Sequence, residues 1–492
     1  MPRRHRLTAA LLALAVAAGC DTAPPDRPDA PARWADPAAT GPSTPARPPA
    51  TTRSPTASPS PTAAPVSCPD PRPAPDTARE LDLSSAGYLG GSGEDSANAV
   101  DVTPRCEIVV GGRFTDVRGG VTTTLGRGPG AVLRLDGTGR RLLGVTRLAG
   151  TVADLEVRRP GGEIAVATDR GVALLDPTAR AVRWQRPGAA ERVSVGTAGT
   201  VAAVVGGQVK VYDRTGAPLA TVRPDGRTVH DVAVDDRHDL VLVGGYRQVN
   251  APPCGTVQIP WLHGYDRSGR LRWRAYDHPA GQLGDRCADS RVERVALGRD
   301  GKLYLAGLTD GGNSVFGRSA ADLGRDAPNV GADKYAQPFN TGNAQQTYLA
   351  RFDPASGRQL AGTFLLARIA SKGDRGNTIT PSAVTADEQG RVYAGGVSAY
   401  QIADRDRITL NGRRLAPYAG GDAWVLVLSA DLRRRTTWVV LTDGGAGTVR
   451  AVAAGSGIAA VAARVDRGPF HRGPGGRSTA SGGYLAAWPG LR

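Results

Sequence analysis

The sequence predicts an all-β protein, a seven-bladed β-propeller of four-stranded blades, and three observations support this. Glycine (65 residues) and proline (37 residues) are abundant in the 492-residue chain, and both disfavour helices. Short apolar runs separated by turn residues recur from residue 78 onward, a pattern typical of strands. Their minimal period of about 38 residues lies within the range of propeller blades.

Each repeating unit contains four predicted strands, of which the first two are the clearest. First strands begin near Ala97, Val152, Ala190, Val229, Arg291, Pro381 and Val449. The predicted second strands are 108–112, 164–168, 201–207, 240–245, 303–307, 392–396 and 458–463. In five units an aspartate follows the third strand, where its carboxylate can accept the backbone N–H two residues further on: Asp136, Asp176, Asp213, Asp266 and Asp353. Insertions fall nearly all between the second and third strands.

The two ends of the repeat region complete one unit. The seventh unit contains only three strands before Arg492, while residues 78–89 form an additional strand ahead of the first unit. Pairing the two ends in one blade removes the free edges that an open sheet exposes. We therefore expect the N-terminal strand to complete the last blade, whereas a Greek-key sandwich explains neither feature.

Residues 1–19 have the order of a secretory signal, with basic, then apolar, then small residues. The apolar run 7–18 is shorter than the roughly 20 residues that cross a bilayer. Ala17-Ala18-Gly19-Cys20 resembles the lipobox of bacterial lipoproteins, with Ala17 in place of the usual leucine. The resemblance implies that Cys20 carries acyl chains such as palmitate. The alternative is ordinary signal cleavage that leaves Cys20 as a free thiol.

Residues 20–77 are rich in proline, alanine, threonine and serine and contain few large apolar side chains. Such a segment cannot bury enough apolar surface to offset the entropy of ordering. It is predicted to be a disordered stalk between the lipid anchor and a propeller over residues 78–492.

The sequence YLGGSGEDSANAV at residues 88–100 is similar to the SBBP repeat of seven-bladed β-propellers. The segment GGDAWVLVLSADL in the sixth unit keeps the aspartate-alanine-aromatic third strand of that family. A second resemblance is to pyrroloquinoline-quinone-like repeats, carried by Asp266 to Trp273. The vicinal cysteine pair of the quinone-dependent enzymes does not occur in the sequence. Both resemblances imply a propeller fold, and neither implies an activity.

Five cysteines occur in the chain, an odd number that is unusual for an exported protein. Lipidation of Cys20 leaves four, which allow three pairings. Loops after second and fourth strands share one face of a propeller, and loops after first and third strands share the other. This order predicts two disulfides, Cys68–Cys106 and Cys254–Cys287.

Motifs for catalysis and metal binding are weak. The six histidines include no pair at zinc-ligand spacing, and no calcium-loop motif occurs. His230 begins a first strand, where Asp231 could orient it, but a structural histidine at a blade edge is the favoured interpretation. Glu94 and Asp95 are interpreted as turn residues in preference to a cation site. The sequence therefore predicts no catalytic residue, no metal site and no cofactor.

Several insertions are basic in a chain whose formal net charge is +15. Because loops after second strands share one face, we expect these insertions to form a binding rim there. The alternative is that arginine is simply the default cation of this composition. The candidate rim residues are Arg118, Arg127, Arg405, Arg407, Arg413, Arg414, Arg467, His471, Arg472 and Arg477.

These features together predict a lipoprotein at the outer face of the cell membrane, whose propeller is a monomeric binding or scaffold module. Its expected partners are the membrane, through the N-terminal lipid, and an anionic envelope polymer or protein. Nucleic acid is not expected, because no stacking motif occurs. The alternative is a secreted enzyme, a hydrolase, lyase or quinone-dependent enzyme, with its site on the insertion-bearing face.

Overall fold

A computed structural model describes residues 68–73, 77–91, 94–117, 119–331, 344–369, 375–471 and 482–491. Regular structure in these ranges is almost entirely β-strand. Helical structure there is limited to short 3-10 turns: Ala280–Gln282, Val315–Gly317 and Arg405–Arg407. The cleaved signal, the lipidation site Cys20 and most of the stalk that the sequence predicts lie outside the described residues.

Seven antiparallel sheets with four main strands each make up the described ranges, and we number them 1 to 7 in the order of their first strands. The first strands are Ser96–Val102, Val152–Val157, Ala190–Val195, Thr228–Asp235, Ser290–Leu297, Ile379–Ala386 and Gly447–Gly455. The second strands are Ile108–Arg113, Ile164–Thr168, Val201–Val205, Leu240–Asn250, Leu303–Thr309, Val392–Ser398 and Ile458–Val465. The third strands are Gly130–Leu135, Gly171–Leu175, Gln208–Tyr212, Thr256–Asp266, Gln346–Asp353, Asp422–Leu428 and Gly482–Pro489. The fourth strands are Leu142–Leu148, Val182–Pro187, Pro218–Val222, Leu271–Tyr276, Arg358–Leu365, Arg435–Val440 and Ser85–Tyr88.

Additional short strands decorate these sheets. Sheet 1 carries a fifth strand that pairs in parallel with its fourth, and the insertions and connections contain small hairpins. The additional strands are Glu80–Leu81, Val121–Thr124, Arg318–Ser319, Asp322–Asp326, Ala367–Ile369, Arg375–Asn377, Thr409–Leu410 and Arg413–Arg414.

Sheet 7 combines strands from both ends of the repeat region. Ser85–Tyr88 pairs antiparallel with Gly482–Pro489, which confirms the pairing that the sequence predicts. The predicted strand 78–89 is nevertheless interrupted, because Glu80–Leu81 pairs in parallel with Thr409–Leu410 of the sheet 6 insertion. The side chain of Asn411 holds the interruption in place by hydrogen bonding to the backbone N–H and carbonyl of Leu83.

The second strands form the centre of each sheet and are almost completely buried. Every residue of Ile164–Thr168 and of Leu303–Thr309 is buried. These strands are continuous apolar runs because both of their faces pack against neighbouring sheets. The first strand of each sheet contacts the first strand of the next, and that of sheet 7 contacts that of sheet 1.

The glycine pair at the end of several second strands leaves room for the neighbouring backbone. In sheet 1, a Cβ on Gly111 would collide with Val152 of the next first strand, and one on Gly112 would collide with the carbonyl of Ser96. The pairs in sheets 4 and 6 meet a valine of the next first strand and a carbonyl of their own first strand in the same way: Gly244 with Gly245, and Gly395 with Gly396. The repeated Gly-Gly is therefore a packing requirement between adjacent strands.

The aspartates after the third strands stabilise turns, although not all in the predicted way. Asp213 and Asp266 accept the backbone N–H two residues further on, at 2.8 and 3.0 Å. Asp136 and Asp176 instead accept the N–H four residues further on. Asp353 accepts a hydrogen bond from a serine hydroxyl.

Both predicted disulfides are present. Cys68 and Cys106 have a Cα–Cα distance of 5.2 Å, and Cys254 and Cys287 one of 4.9 Å. Ordered contacts also extend into the segment predicted as stalk, because the N–H of Arg72 donates to the carbonyl of Gly490 at 2.8 Å.

The insertions of sheets 1, 5, 6 and 7 lie between the second and third strands, as predicted. Sheet 4 differs, because its second and third strands continue as one regular ladder from Leu240↔Asp266 to Asn250↔Thr256. The disulfide Cys254–Cys287 joins the tip of this long hairpin to the segment after the fourth strand.

Candidate functional site

Residues of all seven first strands line two adjoining cavities, which we together call the channel. An inner chamber of about 130 Å³ is lined by residues from the first strands of all seven sheets. A wider vestibule of about 860 Å³ lies where the first strands begin. The first residues of these strands pair with the last residues of the second strands. Since the insertions follow the second strands, the vestibule opens on the insertion-bearing side.

Every first strand contains a β-bulge at the same place, and this bulge builds the vestibule. The register with the second strand shifts by one residue in all seven sheets. Bulges bend a strand and re-aim a side chain, and they are frequent next to functional sites. All seven bulged residues line the vestibule: Asn98, Ala153, Glu191, His230, Glu293, Ser382 and Arg450.

Three bulged side chains also tie their sheet to the next one. The amide of Asn98 donates to the carbonyl of Val152 at 2.9 Å. The Nδ1 atom of His230 lies 2.9 Å from the carbonyl oxygen of Val292, and the hydroxyl of Ser382 donates to the carbonyl of another first strand. His230 is therefore a structural link at the vestibule, which agrees with the interpretation that the sequence favours.

Carboxylates inside the chamber make a second set of links between sheets. Asp101 accepts the N–H of Val157 at 2.8 Å, and Asp154 accepts that of Val193 at 3.0 Å. Glu156 accepts an N–H of sheet 3 at 3.1 Å. Asp231 accepts an N–H of sheet 5 at 3.0 Å, so it does not orient His230 as the sequence suggests.

Two of these carboxyl groups have raised pKa values. Removal from bulk water raises the pKa of Asp154 to about 6, against the opposing effect of Arg192. Burial, together with the charge of Asp101, raises the pKa of Glu156 to about 7. Both groups therefore take up protons near neutral pH more readily than exposed carboxyl groups do.

Arg299 lies across the end of the channel opposite to the vestibule. This residue comes two positions after the end of the first strand of sheet 5, and its side chain is 5% exposed. It donates to the carbonyl of Val102 in sheet 1 at 2.9 Å and to the hydroxyl of Ser456 in sheet 7 at 3.0 Å. It also pairs with Glu388 in sheet 6 at 3.2 Å. One side chain thus connects four sheets at the far ends of their first strands.

The predicted arginine rim is only partly supported by the positions of its members. Arg405 is 3% exposed, and its Nε lies 3.1 Å from a carboxylate oxygen of Asp422. Arg405 therefore anchors the sheet 6 insertion, and the prediction that it belongs to an exposed rim is wrong. The reason is the carboxylate of Asp422, itself 1% exposed, which requires a buried counter-charge. Arg118, Arg472 and Arg477 lie outside the described residues.

The other rim candidates lie at the surface. Arg413 pairs with Asp443 at 2.5 Å and donates to the carbonyl of Pro469, which joins the insertions of sheets 6 and 7. His471 stacks on the ring of Tyr88 with the centroids 6.2 Å apart. The remaining exposed candidates are Arg127, Arg407, Arg414 and Arg467.

Asp95 acts as a turn residue. It accepts the N–H of Gly91 at 3.0 Å and the N–H and hydroxyl of Thr115 at 2.7 and 3.0 Å. Across the described ranges, no group of three or more histidine, cysteine, aspartate or glutamate residues is arranged to hold a metal ion. None of the helices in the described part of the chain has the length and apolar character of a membrane span.

No model of a protein family matches this sequence, and no curated protein matches it. Among solved structures, one similar chain belongs to a crystal structure of the mitotic checkpoint complex, at 12% identity and a TM-score of 0.44, with 83% of this chain and 96% of that chain covered. A chain of Kuenenia stuttgartiensis hydrazine synthase has 10% identity and a TM-score of 0.46, with 75% of this chain and 93% of that chain covered. Similarity at this level says nothing about a ligand or an activity.

Proposed function

We propose that the seven sheets are the blades of a closed seven-bladed β-propeller of the SBBP type, which acts as a binding or scaffold module. The contacts between consecutive first strands, including those of sheets 7 and 1, support ring closure. The pairing of Ser85–Tyr88 with Gly482–Pro489 supports completion of the last blade by the N-terminal strand.

In this proposal the ligand binds at the channel mouth, and the observation that carries it is the vestibule lined by one bulged residue from every sheet. Its volume of about 860 Å³ falls within the range of small-ligand sites. The exposed arginines on the insertions of sheets 1, 6 and 7 supply positive charge for an anionic envelope polymer or protein, namely Arg127, Arg407, Arg414 and Arg467.

The N-terminal features place this module at the outer face of the cell membrane in our proposal. The secretory signal leads to export, Cys20 carries the lipid, and the stalk holds a monomeric propeller away from the bilayer. Labelling of cells with a fatty-acid probe tests this part, because labelling is expected in the wild-type chain and lost in Cys20→Ala. Equal labelling of both chains would contradict it.

The binding proposal is tested by capture of envelope fractions on the immobilised full chain carrying Cys20→Ala. Ala153→Trp fills the vestibule from a bulge position, while Ala181→Trp places the same ring at an exposed position before the fourth strand of sheet 2. We expect the first variant to lose captured material and the second to retain it. Retention in Ala153→Trp, with loss in a variant lacking Arg407, Arg414 and Arg467, would move the site to the rim.

An enzyme with its site in the inner chamber is the second candidate. The raised pKa values of Asp154 and Glu156 in one cavity favour it, because catalytic acids and bases are tuned in this way. Both carboxylates already accept backbone N–H groups of the next sheet, which favours the binding function. Turnover of a captured polymer that disappears in Glu156→Gln but persists in Ala181→Trp would support the enzyme.

A further inference from the structure

The inner chamber and the vestibule meet at a neck that is rich in hydrogen-bond donors. Five polar residues line both parts of the channel: Asn98, Arg192, Arg294, Ser382 and Arg450. The three arginines come from sheets 3, 5 and 7. The neck therefore carries three permanent positive charges that project from different sides of the ring.

None of these three guanidinium groups forms an ion pair with a carboxylate in the part of the chain that the structure describes. Within the same part, the side chains of Arg192 and Arg450 make no hydrogen bond, whereas Arg294 donates to the carbonyls of Ser382 and Glu293 at 2.8 and 2.6 Å. Burial and then the charge of Arg192 lower the pKa of Arg294 to about 10. Burial, Arg464 and Arg192 lower the pKa of Arg450. The neck thus holds like charges that act on one another, although the charges of Asp231, Glu293 and Asp154 partly offset this repulsion at Arg294.

Most nearby carboxylates, including Glu156, are hydrogen bonded to backbone N–H groups, whereas the exposed Glu191 of the vestibule has no hydrogen bond or ion pair in the part of the chain that the structure describes. Asp154 and Asp231 each accept two backbone N–H groups, and Asp101 does the same. Glu293 pairs with Arg291 at 3.0 Å. Since these acids link adjacent sheets or pair with another arginine, the donors of Arg192 and Arg450 remain directed to the channel.

We propose that the neck binds a terminal phosphate group, either inorganic phosphate or the phosphomonoester end of a larger ligand whose remainder occupies the vestibule. Guanidinium groups match the oxygen geometry of phosphate and bind it through paired N–H donors. The phosphate binds on the vestibule side of the neck, because the carboxylates of Asp101, Asp154, Glu156 and Asp231 line the chamber beyond it. The internal phosphodiester of a continuous polymer is disfavoured, because Arg299 lies across the other end of the channel.

This inference rests on the proposed binding function and names the ligand chemistry of that site. The test is isothermal titration calorimetry on the full chain carrying Cys20→Ala, at constant ionic strength set with chloride. The probes are inorganic phosphate, phenyl phosphate as a monoester, dimethyl phosphate as a diester and acetate as a carboxylate. We expect phosphate and phenyl phosphate to bind, and dimethyl phosphate and acetate to bind at least about tenfold more weakly.

Arg192→Gln and Arg450→Gln are the informative variants, because neither side chain supports the fold by hydrogen bonding. Each is expected to weaken phosphate binding about tenfold or more, the usual effect of losing a charged hydrogen-bonded pair. Arg183→Gln, at an exposed arginine on the outer strand of sheet 2, is the matched control and is expected to change the affinity less than twofold. If a glutamine variant melts at a lower temperature than the control, the lysine variant at the same position replaces it, with a smaller but measurable loss expected.

The inference is overturned if the wild-type chain binds none of the four probes. It is also overturned if the variants at Arg192 and Arg450 keep the wild-type affinity, or if the diester or acetate binds as tightly as the monoester. Capture of envelope material that depends on the vestibule, without phosphate binding, would remove this inference and leave the proposed function intact.

Discussion

The connection that Arg299 makes between four sheets leads to a quantitative prediction. Arg299→Met retains the apolar length of the side chain but removes the hydrogen bonds to Val102 and Ser456 and the ion pair with Glu388. Each buried hydrogen bond from a charged donor contributes roughly 1.5–3 kcal/mol, and the pair with the half-exposed Glu388 adds roughly 0–1 kcal/mol. We expect the free energy of unfolding to fall by roughly 3–7 kcal/mol.

Thermal melting followed by circular dichroism measures this loss. For a domain of this size, 1 kcal/mol corresponds to roughly 1 °C, so Tm is expected to fall by roughly 3–7 °C. Arg183→Met, at the exposed arginine used as the control above, is expected to change Tm by less than about 1 °C. A Tm for Arg299→Met equal to that of this control would refute the reasoning.

A double-mutant cycle adds a second check on the position of Arg299. A Cβ at Gly455 would collide with the guanidinium of Arg299, so Gly455→Ala is expected to be destabilising. Backbone strain at this position, where φ is 141°, affects the variant in both backgrounds and cancels in the cycle. The cost of Gly455→Ala is therefore expected to be smaller in the Arg299→Met background. If the effects of Gly455→Ala and Arg299→Met on the free energy of unfolding were strictly additive, the two residues would not be in contact and the prediction would be wrong.

Three further predictions concern sheet 4 and the channel. Replacing Cys254 and Cys287 by serine opens a loop of 33 residues and is expected to lower the free energy of unfolding by roughly 3–4 kcal/mol in urea denaturation, whereas an unchanged midpoint would contradict this. Asp277 contacts Arg227, Arg247 and His263 at 2.9 Å, and hydrogen bonds from His263 and Arg227 outweigh burial and depress its pKa. Asp277→Asn is therefore expected to lower the free energy of unfolding by roughly 3–5 kcal/mol at pH 7. The difference from wild type should shrink as the pH falls below about 4, where the carboxylate of the unfolded chain becomes protonated. A difference that does not change with pH would argue against the charged cluster. Burial raises the pKa of Asp154 to about 6. The wild-type protein should therefore lose up to roughly 3 kcal/mol of stability relative to Asp154→Asn as the pH rises from about 4 to 6. Parallel pH profiles of Tm for the two proteins would contradict this.

Local patterns predicted the strands well, because each second strand is a continuous apolar run between turn residues. Ile164–Thr168 begins and ends where the sequence predicts. Five other second strands start at the predicted residue and extend further, whereas Val201–Val205 ends two residues before the end of the predicted strand 201–207. Leu240–Asn250 extends furthest, since its ladder continues into residues that look like a loop in isolation. The additional length depends on the partner strand Thr256–Asp266, which a local pattern does not reveal.

The candidate site was much less predictable. The Gly-Gly pairs were visible in the sequence, but the reason for them was not. In the structure, the carbonyl of Ser96, next to the bulge of the first strand, occupies the space that a Cβ on Gly112 would need. Arg192 and Arg450 look like ordinary arginines of a basic chain, and only the arrangement of the first strands in the folded protein brings them to one neck. Arg405 looks equally exposed in the sequence, and its burial depends on Asp422, 17 residues away.

The all-β class, the four-stranded repeat and both disulfide pairs could be predicted without the structure, because they follow from apolar periodicity, turn chemistry and the order of strands along the chain. The sequence also predicts that the strand over residues 78–89 joins the last sheet, since an unpaired strand at one end requires a partner at the other, and Ser85–Tyr88 of this segment pairs there. The tertiary structure alone decided which side chains face the channel, because a one-residue bulge reverses the direction of a side chain. It likewise decided that Arg299 spans four sheets, since its partners Val102 and Ser456 lie 197 and 157 residues away along the chain.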